Sequence, residues 1–223
     1  MKRIFVLGIM LIAAFSFSTA QRPQRGGMSS ANSSSEQFPE IKTDLDRKVK
    51  AFLEENAYRW RDLNIPLSDG KILYDLIIEN NYKSAVEIGT STGHSAIWIA
   101  WALSKTGGKL ITFEIDPNRH RQAVANFKNA GLAELIDARL GDAHVLVPAL
   151  TGKYDFVFSD ADKDWYKNYF IAMDTKIVVG GCFVAHNVDQ RTRDIRDFIE
   201  YIESRNNYKT TINQAISISY KTK

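Results

Sequence analysis

The sequence predicts an α/β fold: a seven-stranded, mostly parallel sheet with an antiparallel edge hairpin and helices on both faces. Three observations carry that prediction. From Ser84 onward, short apolar runs alternate with helical patterns, the order that builds parallel layers covered by helices. A glycine-bearing turn, Gly89 to Gly93, joins the first of these runs to a helix. The last two runs, Thr210–Asn213 and Ile216–Tyr220, have no helix between them, which predicts a hairpin.

The elements follow in order. Lys2 and Arg3, the apolar stretch Ile4 to Phe17 and the small residues Ser18-Thr19-Ala20 read as a signal peptide over residues 1–20. The apolar stretch is short for a bilayer span; an uncleaved anchor is the alternative. Residues 21–40, rich in Ser, Gly, Gln and Pro, read as a disordered linker. Residues 41–223 form the folded domain. Leu45, Val49, Phe52, Leu53, Trp60 and Leu63 mark a first helical stripe, and Ser68 is placed to N-cap a second helix carrying Ile72, Leu73, Leu76 and Ile77. Strands are expected at Ala85–Ile88, Leu110–Phe113, Ile136–Leu140, Phe156–Ser159 and Cys182–Ala185, before the final pair. Asp116-Pro117 opens a helix that Gly131 closes. Ile195, Phe198, Ile199 and Ile202 mark another at ideal helical spacing.

Composition excludes little but points one way. The 223 residues carry a net charge of +3, and two of the positive charges are Lys2 and Arg3, so bulk charge gives no sign of a nucleic-acid partner. Cys182 is the only cysteine. It lies in an apolar strand, which predicts an inert buried thiol.

Parallel topology would bring four polar strand ends to one edge of the sheet. The first is Glu87-Ile-Gly89-Thr90-Ser91-Thr-Gly93-His-Ser95. Its acid-x-Gly-x-x-x-Gly spacing departs from the dinucleotide fingerprint and from the P-loop. The second ends in Glu114, an acid able to accept both hydroxyls of a ribose; a solvated turn residue is its plainer reading. The third is Gly141-Asp142-Ala143, where Asp142 is suited to N-cap a helix, to accept an adenine amino group, or both. The fourth is Asp160-Ala-Asp162-Lys163-Asp164-Trp-Tyr166. There Asp162 and Asp164 fit a capping role, whereas Asp160 and Lys163 call for a functional one.

These pieces, together with Gly180-Gly-Cys-Phe-Val-Ala-His186-Asn187, resemble the cation-dependent O-methyltransferases of the catechol and caffeoyl-coenzyme-A type, from about Leu45 to Lys221. The resemblance implies a Rossmann-like methyltransferase fold and a class I S-adenosylmethionine-dependent enzyme. It would methylate a hydroxyl of a small catechol-like aromatic acceptor. Glu87, Gly89, Thr90, Ser91, Gly93, Ser95, Glu114, Asp142, Ala143 and Asp160 would then hold the cofactor. Lys163 would help deprotonate the acceptor beside Asp160, and a metal would be held by Asp160, His186 and Asn187. Members of this family are commonly dimers; nothing in the sequence decides whether this chain is a homodimer.

One departure changes the chemistry expected. His186 stands where the family usually carries an aspartate. Imidazole suits zinc, iron, nickel or copper better than magnesium, so either the metal differs or the site holds none. Export through the signal peptide, to the periplasm or outside the cell, would also part the domain from cytosolic S-adenosylmethionine. A catalytically weakened protein that binds a ligand or partner is the alternative function. The short loop Val188 to Thr192 predicts an open acceptor pocket, capped by neither Trp60 nor Trp165. His94, His120 and His144 are assigned no role.

Overall fold

The computed structural model describes residues 38–60, 63–213 and 215–223. The expected signal peptide, and all of the expected linker before residue 38, lie outside the described residues. Two helices, α1 (Asp44–Glu55) and α2 (Leu67–Asn80), precede a sheet whose elements alternate through β1 (Ser84–Ile88), α3 (His94–Thr106), β2 (Lys109–Glu114), α4 (Pro117–Ala130), β3 (Ile136–Leu140), α5 (Ala143–Ala149) and β4 (Tyr154–Ser159). Then come α6 (Tyr166–Asp174), β5 (Ile177–His186), α7 (Arg193–Glu203), β6 (Tyr208–Asn213) and β7 (Ile216–Lys221).

The strands lie in the order β3-β2-β1-β4-β5-β7-β6. The first five pair in parallel, while β7 runs antiparallel to both β5 and β6, as the sequence predicts. The chain builds outward from β1 through β2 to β3, then returns to lay β4 on the other side of β1. Strand order reverses between β1 and β4, and the crevice at such a reversal is where open α/β sheets bind ligands.

Side-chain alternation splits the core in two. Ala85, Phe156, Phe158, Cys182 and Val184 face a layer of α1, α2, α3 and α4. Their neighbours Val86, Ile88, Val157, Phe183 and Ala185 face α5, α6 and α7, as the two-residue period of a strand requires. The stripe Ile195, Phe198, Ile199 and Ile202 of α7 is buried; each such side chain contributes roughly 1.5–3 kcal/mol of burial. Cys182 is fully buried, and burial pushes its thiol up to about 12. No helix among the described residues is long and apolar enough to cross a membrane.

Three local expectations are corrected. The first helix stops at Glu55, so Trp60 and Leu63 do not extend its stripe. Leu63 is 71% exposed with a positive φ of 51° and belongs to a loop. The second helix begins at Leu67 behind Pro66, which leaves Ser68 inside the first turn instead of capping it. Strand β5 runs from Ile177, five residues earlier than expected, with a register shift against β4 between Tyr154 and Phe156. Asp116 caps α4 as expected, accepting from the Asn118 and Arg119 amides, and Gly131 closes it in the left-handed conformation.

Candidate active site

One cavity of about 780 Å³ opens along the carboxyl ends of the parallel strands. Its floor is the reversal between β1 and β4. Gly89, just after β1, has φ +100°, and a Cβ there would come within 2.9 Å of the Asp160 carbonyl oxygen, just after β4. The Asp160 amide in turn donates to the Ile88 carbonyl at 2.9 Å. Only glycine lets the two strand ends approach this closely.

One end of the cavity is organised by Glu114. The Ser91 amide donates to its Oε2 at 2.7 Å and the Asp116 amide to its Oε1 at 2.9 Å. Each oxygen therefore keeps a lone pair, the arrangement that accepts two adjacent hydroxyls. Ile115, Arg119, Gly141, Asp142, Ala143 and His144 continue this wall. Asp142 caps α5 by accepting from the His144 amide at 2.9 Å. The His144 ring stacks on Trp165 at 4.0 Å between centroids, and its Nε2 lies 3.2 Å from Asp162.

Four residues of the first motif stand behind the wall. Glu87, Thr90, Gly93 and Ser95 do not line the cavity. Glu87 is fully buried; it accepts from the Thr112 hydroxyl at 2.5 Å, while its Oε1 has no hydrogen-bond partner. Burial raises its carboxyl to about 8. Thr90 and Thr112 share a hydrogen bond at 2.5 Å, and the Thr90 amide donates to Phe113 at 3.0 Å, pinning the turn against β2. Gly93 enters α3 with φ +96°, where a Cβ would strike the Phe127 ring at 2.5 Å. These residues shape the turn that presents Gly89 and Ser91.

The other end is a charged cluster. Lys163 Nζ donates to Asp160 Oδ1 at 3.0 Å and to the Tyr166 hydroxyl at 3.2 Å, and that hydroxyl donates to the His186 carbonyl at 2.8 Å. Burial, with Asp160 nearby, holds the Tyr166 phenol well above its ordinary pKa, so it remains a donor. His186 Nε2 lies 2.8 Å from Asp69 Oδ2 and its Nδ1 lies 3.3 Å from Asp160 Oδ2. Burial opposes a charged imidazole here, but Asp160 and Asp69 outweigh it, and the His186 pKa lies above its ordinary value. Asn187 follows with φ 54° and lines the same space. Among the described residues no three His, Cys, Asp or Glu side chains form a ready metal group; Asn187 is the neighbouring polar side chain beside Asp160 and His186.

The structure thus gathers Gly89, Ser91, Glu114, Asp142, Ala143, Asp160, Lys163, His186 and Asn187 around one space. Neither Trp60 nor Trp165 lines it, although Leu63, Asn64, Pro66 and Ser68 do. Asp69, Ile115, Arg119 and His144 also line the cavity and were not foreseen. A position one residue past Glu114, or one past Ala143, was the available hint for Ile115 and His144. For Asp69 no sequence signal existed.

A reversed-order parallel sheet with a diol-accepting acid and an acid–lysine cluster at its carboxyl edge defines a Rossmann-like methyltransferase architecture. A profile of the O-methyltransferase family matches residues 33–197, and the chain belongs to that family. Catechol O-methyltransferase of Niastella koreensis is 38% identical over 112 residues, covering 48% of this chain and 50% of that protein. Caffeoyl-CoA O-methyltransferase 1 of Eucalyptus globulus is 33% identical over 127 residues, 55% of this chain and 51% of its own length. The chain spans about half the length of the curated relatives it matches. Among solved structures, the O-methyltransferase TomG of Streptomyces achromogenes in complex with SAM has a TM-score of 0.69 at 24% identity, over 87% of this chain and 96% of that one. An O-methyltransferase of Bacillus cereus in complex with SAH gives 0.70 at 23%, over 87% and 98%. At those identities they show the fold.

Proposed function

We propose that this chain transfers the methyl group of S-adenosylmethionine to a hydroxyl of a small, catechol-like aromatic acceptor. The observation that carries the proposal is the continuity of one cavity from the Glu114 carboxylate to the Asp160–Lys163 cluster. Its volume of about 780 Å³ lies within the range of small-molecule and cofactor sites. Family membership and relatives named for catechol and caffeoyl-CoA methylation support the reading.

In this reading Glu114 accepts the ribose hydroxyls through the two lone pairs its backbone donors leave open. Ile115 offers an apolar face at the same end, and Gly89 and Ser91 let the cofactor lie close to the main chain. The acceptor enters past Leu63, Asn64 and Pro66 and sets its hydroxyl oxygen against Lys163. Lys163, held by Asp160 and Tyr166, is placed to take the acceptor's proton as the methyl moves from sulfur to oxygen. A phenol holds its proton to about pH 10, so little phenolate exists at neutral pH without such a base.

The family implies a divalent cation, and Asp160, His186 and Asn187 are the residues that would hold it, with the His186 Nδ1 already 3.3 Å from Asp160 Oδ2. Bound there, it would supply Lewis acidity that makes the acceptor hydroxyl easier to ionise. The mixed donor set favours a transition metal over magnesium. The leader-like residues 1–20 support export, which N-terminal sequencing of protein recovered from cell fractions tests. For the activity, calorimetric titration with S-adenosylmethionine is expected to show one-to-one binding, and catechol to gain 14 mass units (one CH₂). No cofactor binding overturns the reading.

A further inference from the structure

The wall at the acceptor end of the cavity is held from the turn at its cofactor end. Leu63, Asn64 and Pro66, in the connection between α1 and α2, line the cavity mouth. They are tied to two residues of the β1–α3 turn that do not line it, Thr92 and His94. The Asn64 amide pairs with the Thr92 hydroxyl, its Nδ2 at 2.9 Å and its Oδ1 at 3.2 Å from Oγ1. The Thr92 carbonyl accepts from Asn126 of α4 at 2.8 Å, which roots the turn in the helix layer.

His94, the first residue of α3, is 2% exposed. Its Nδ1 lies 2.9 Å from the Ile65 carbonyl, which can only accept, so the ring hydrogen is on Nδ1. The lone pair on Nε2 then accepts from the Trp98 indole N–H at 3.3 Å. Burial lowers the His94 pKa to about 4 against the pull of the Ile65 carbonyl, which keeps the ring neutral and both roles in place. Trp60, from the same connection, stacks on the imidazole at 4.8 Å between centroids. Trp98 packs under α2, where a Cβ on Gly70 would strike its ring. Both polar atoms of a buried imidazole are thus committed, one to the loop and one to the indole beneath α2. That loop, with Ser68 and Asp69 of α2, lines the acceptor end.

We propose that His94 and Thr92 are positioning residues for the acceptor: they set the Leu63–Pro66 wall from the cofactor turn and so fix how the acceptor hydroxyl meets Lys163. The role of this wall in the reaction rests on the methyltransferase reading above; the tie between loop and turn does not. Because His94 and Thr92 lie outside the cavity lining, their loss moves the acceptor and spares the cofactor.

Hydrogen-exchange mass spectrometry on the full chain reads the tie without activity. His94→Gln keeps a polar partner for Trp98 but no donor bonded to Cγ, and is expected to speed exchange of the 63–65 amides by about tenfold. His94→Asn carries its N–H on an atom bonded to Cγ, as Nδ1 is, and is expected to restore protection. Thr92→Val is expected to release the same segment. With catechol at saturating S-adenosylmethionine, His94→Gln and Thr92→Val are each expected to raise the acceptor KM about tenfold, the worth of one hydrogen bond. The cofactor dissociation constant, measured by calorimetry, should stay within about twofold. Thermal melts report folding, and if His94→Gln does not fold, His94→Asn and Thr92→Val decide. Exchange at 63–65 as fast in wild type as in the variants, an unchanged acceptor KM, or an equal loss in cofactor affinity overturns the proposal. Loop release in a chain that methylates no catechol refutes only the methyltransferase reading, whereas wild-type turnover with exchange unaltered in the variants refutes only this inference.

Discussion

The two ends of the cavity are built differently. Around Glu114, the contacts that hold the carboxylate and the turn involve backbone within or next to the βα turns: the Ser91 and Asp116 amides, the Gly89 approach and the His144 amide that Asp142 caps. Around Asp160, four side chains from three separate places meet: Asp69 on α2, Asp160 and Lys163 after β4, and His186 at the end of β5. The backbone-built end depends on turn geometry, which few residue types satisfy. The side-chain end depends on which charges face one another, and one substitution can change its chemistry while leaving the fold intact. Cofactor recognition should accordingly resist change more than catalysis or metal choice.

Lys163→Met is the strongest test of that contrast. It is expected to lower kcat by about 10²–10⁴-fold, the usual worth of a general base, with little effect on the dissociation constant for S-adenosylmethionine; an equal loss in cofactor binding would erase the distinction between the ends. Next comes Glu114→Gln. Replacing a charged acceptor that also holds two backbone amides should weaken cofactor binding by about 100-fold, given about 1.5–3 kcal/mol for each charge-assisted hydrogen bond. Calorimetry measures it, and turnover at saturating cofactor should survive.

Gly89→Ala probes the point where the ends touch. A positive φ costs a non-glycine residue about 1–2 kcal/mol, and the new methyl would press on the Asp160 backbone. A stability loss of about 2–4 kcal/mol in urea unfolding is expected, with cofactor binding impaired.

The pH dependence of stability reads two buried groups next to the βα turn that act in opposite directions. Burial lowers the His94 pKa to about 4, so it stays neutral while the unfolded chain protonates near 6.5. Its contribution is whole above pH 6.5 and is lost as pH falls toward 4. Glu87, raised to about 8 from 4.5, keeps its proton in the fold. Its contribution is whole below pH 4.5 and is lost as pH rises toward 8. Each group adds a slope of at most about 1.4 kcal/mol per pH unit. Glu87→Gln is expected to flatten the alkaline side of the Tm profile and His94→Gln the acid side. Unchanged profiles would refute these assignments.

Much of this was legible in the chain because it is local. Alternating apolar runs predicted seven strands, and Asp116-Pro117 with Gly131 predicted α4 and its caps. Glu114 and the Asp160–Lys163 group were recognisable because each follows a strand whose end must lie on one edge. The first helix misled because Trp60 and Leu63 continue its spacing. Trp60 instead stacks on His94 at 4.8 Å between centroids, and Leu63 turns into a loop at the cavity mouth. Glu87 was expected to contact the cofactor on the family resemblance, yet it is fully buried behind the turn, where it accepts from Thr112.

By itself the sequence determined the sheet, the strand ends and the turn that approaches the cofactor space, because strand period, glycine conformation and helix caps act over a few residues. Tertiary structure alone decided that Asp69, 117 positions from His186, meets its ring. No local rule couples residues so far apart. Only the packing of α2 across the sheet edge brings that carboxylate to the imidazole, and with it the orientation that points Nδ1 at Asp160.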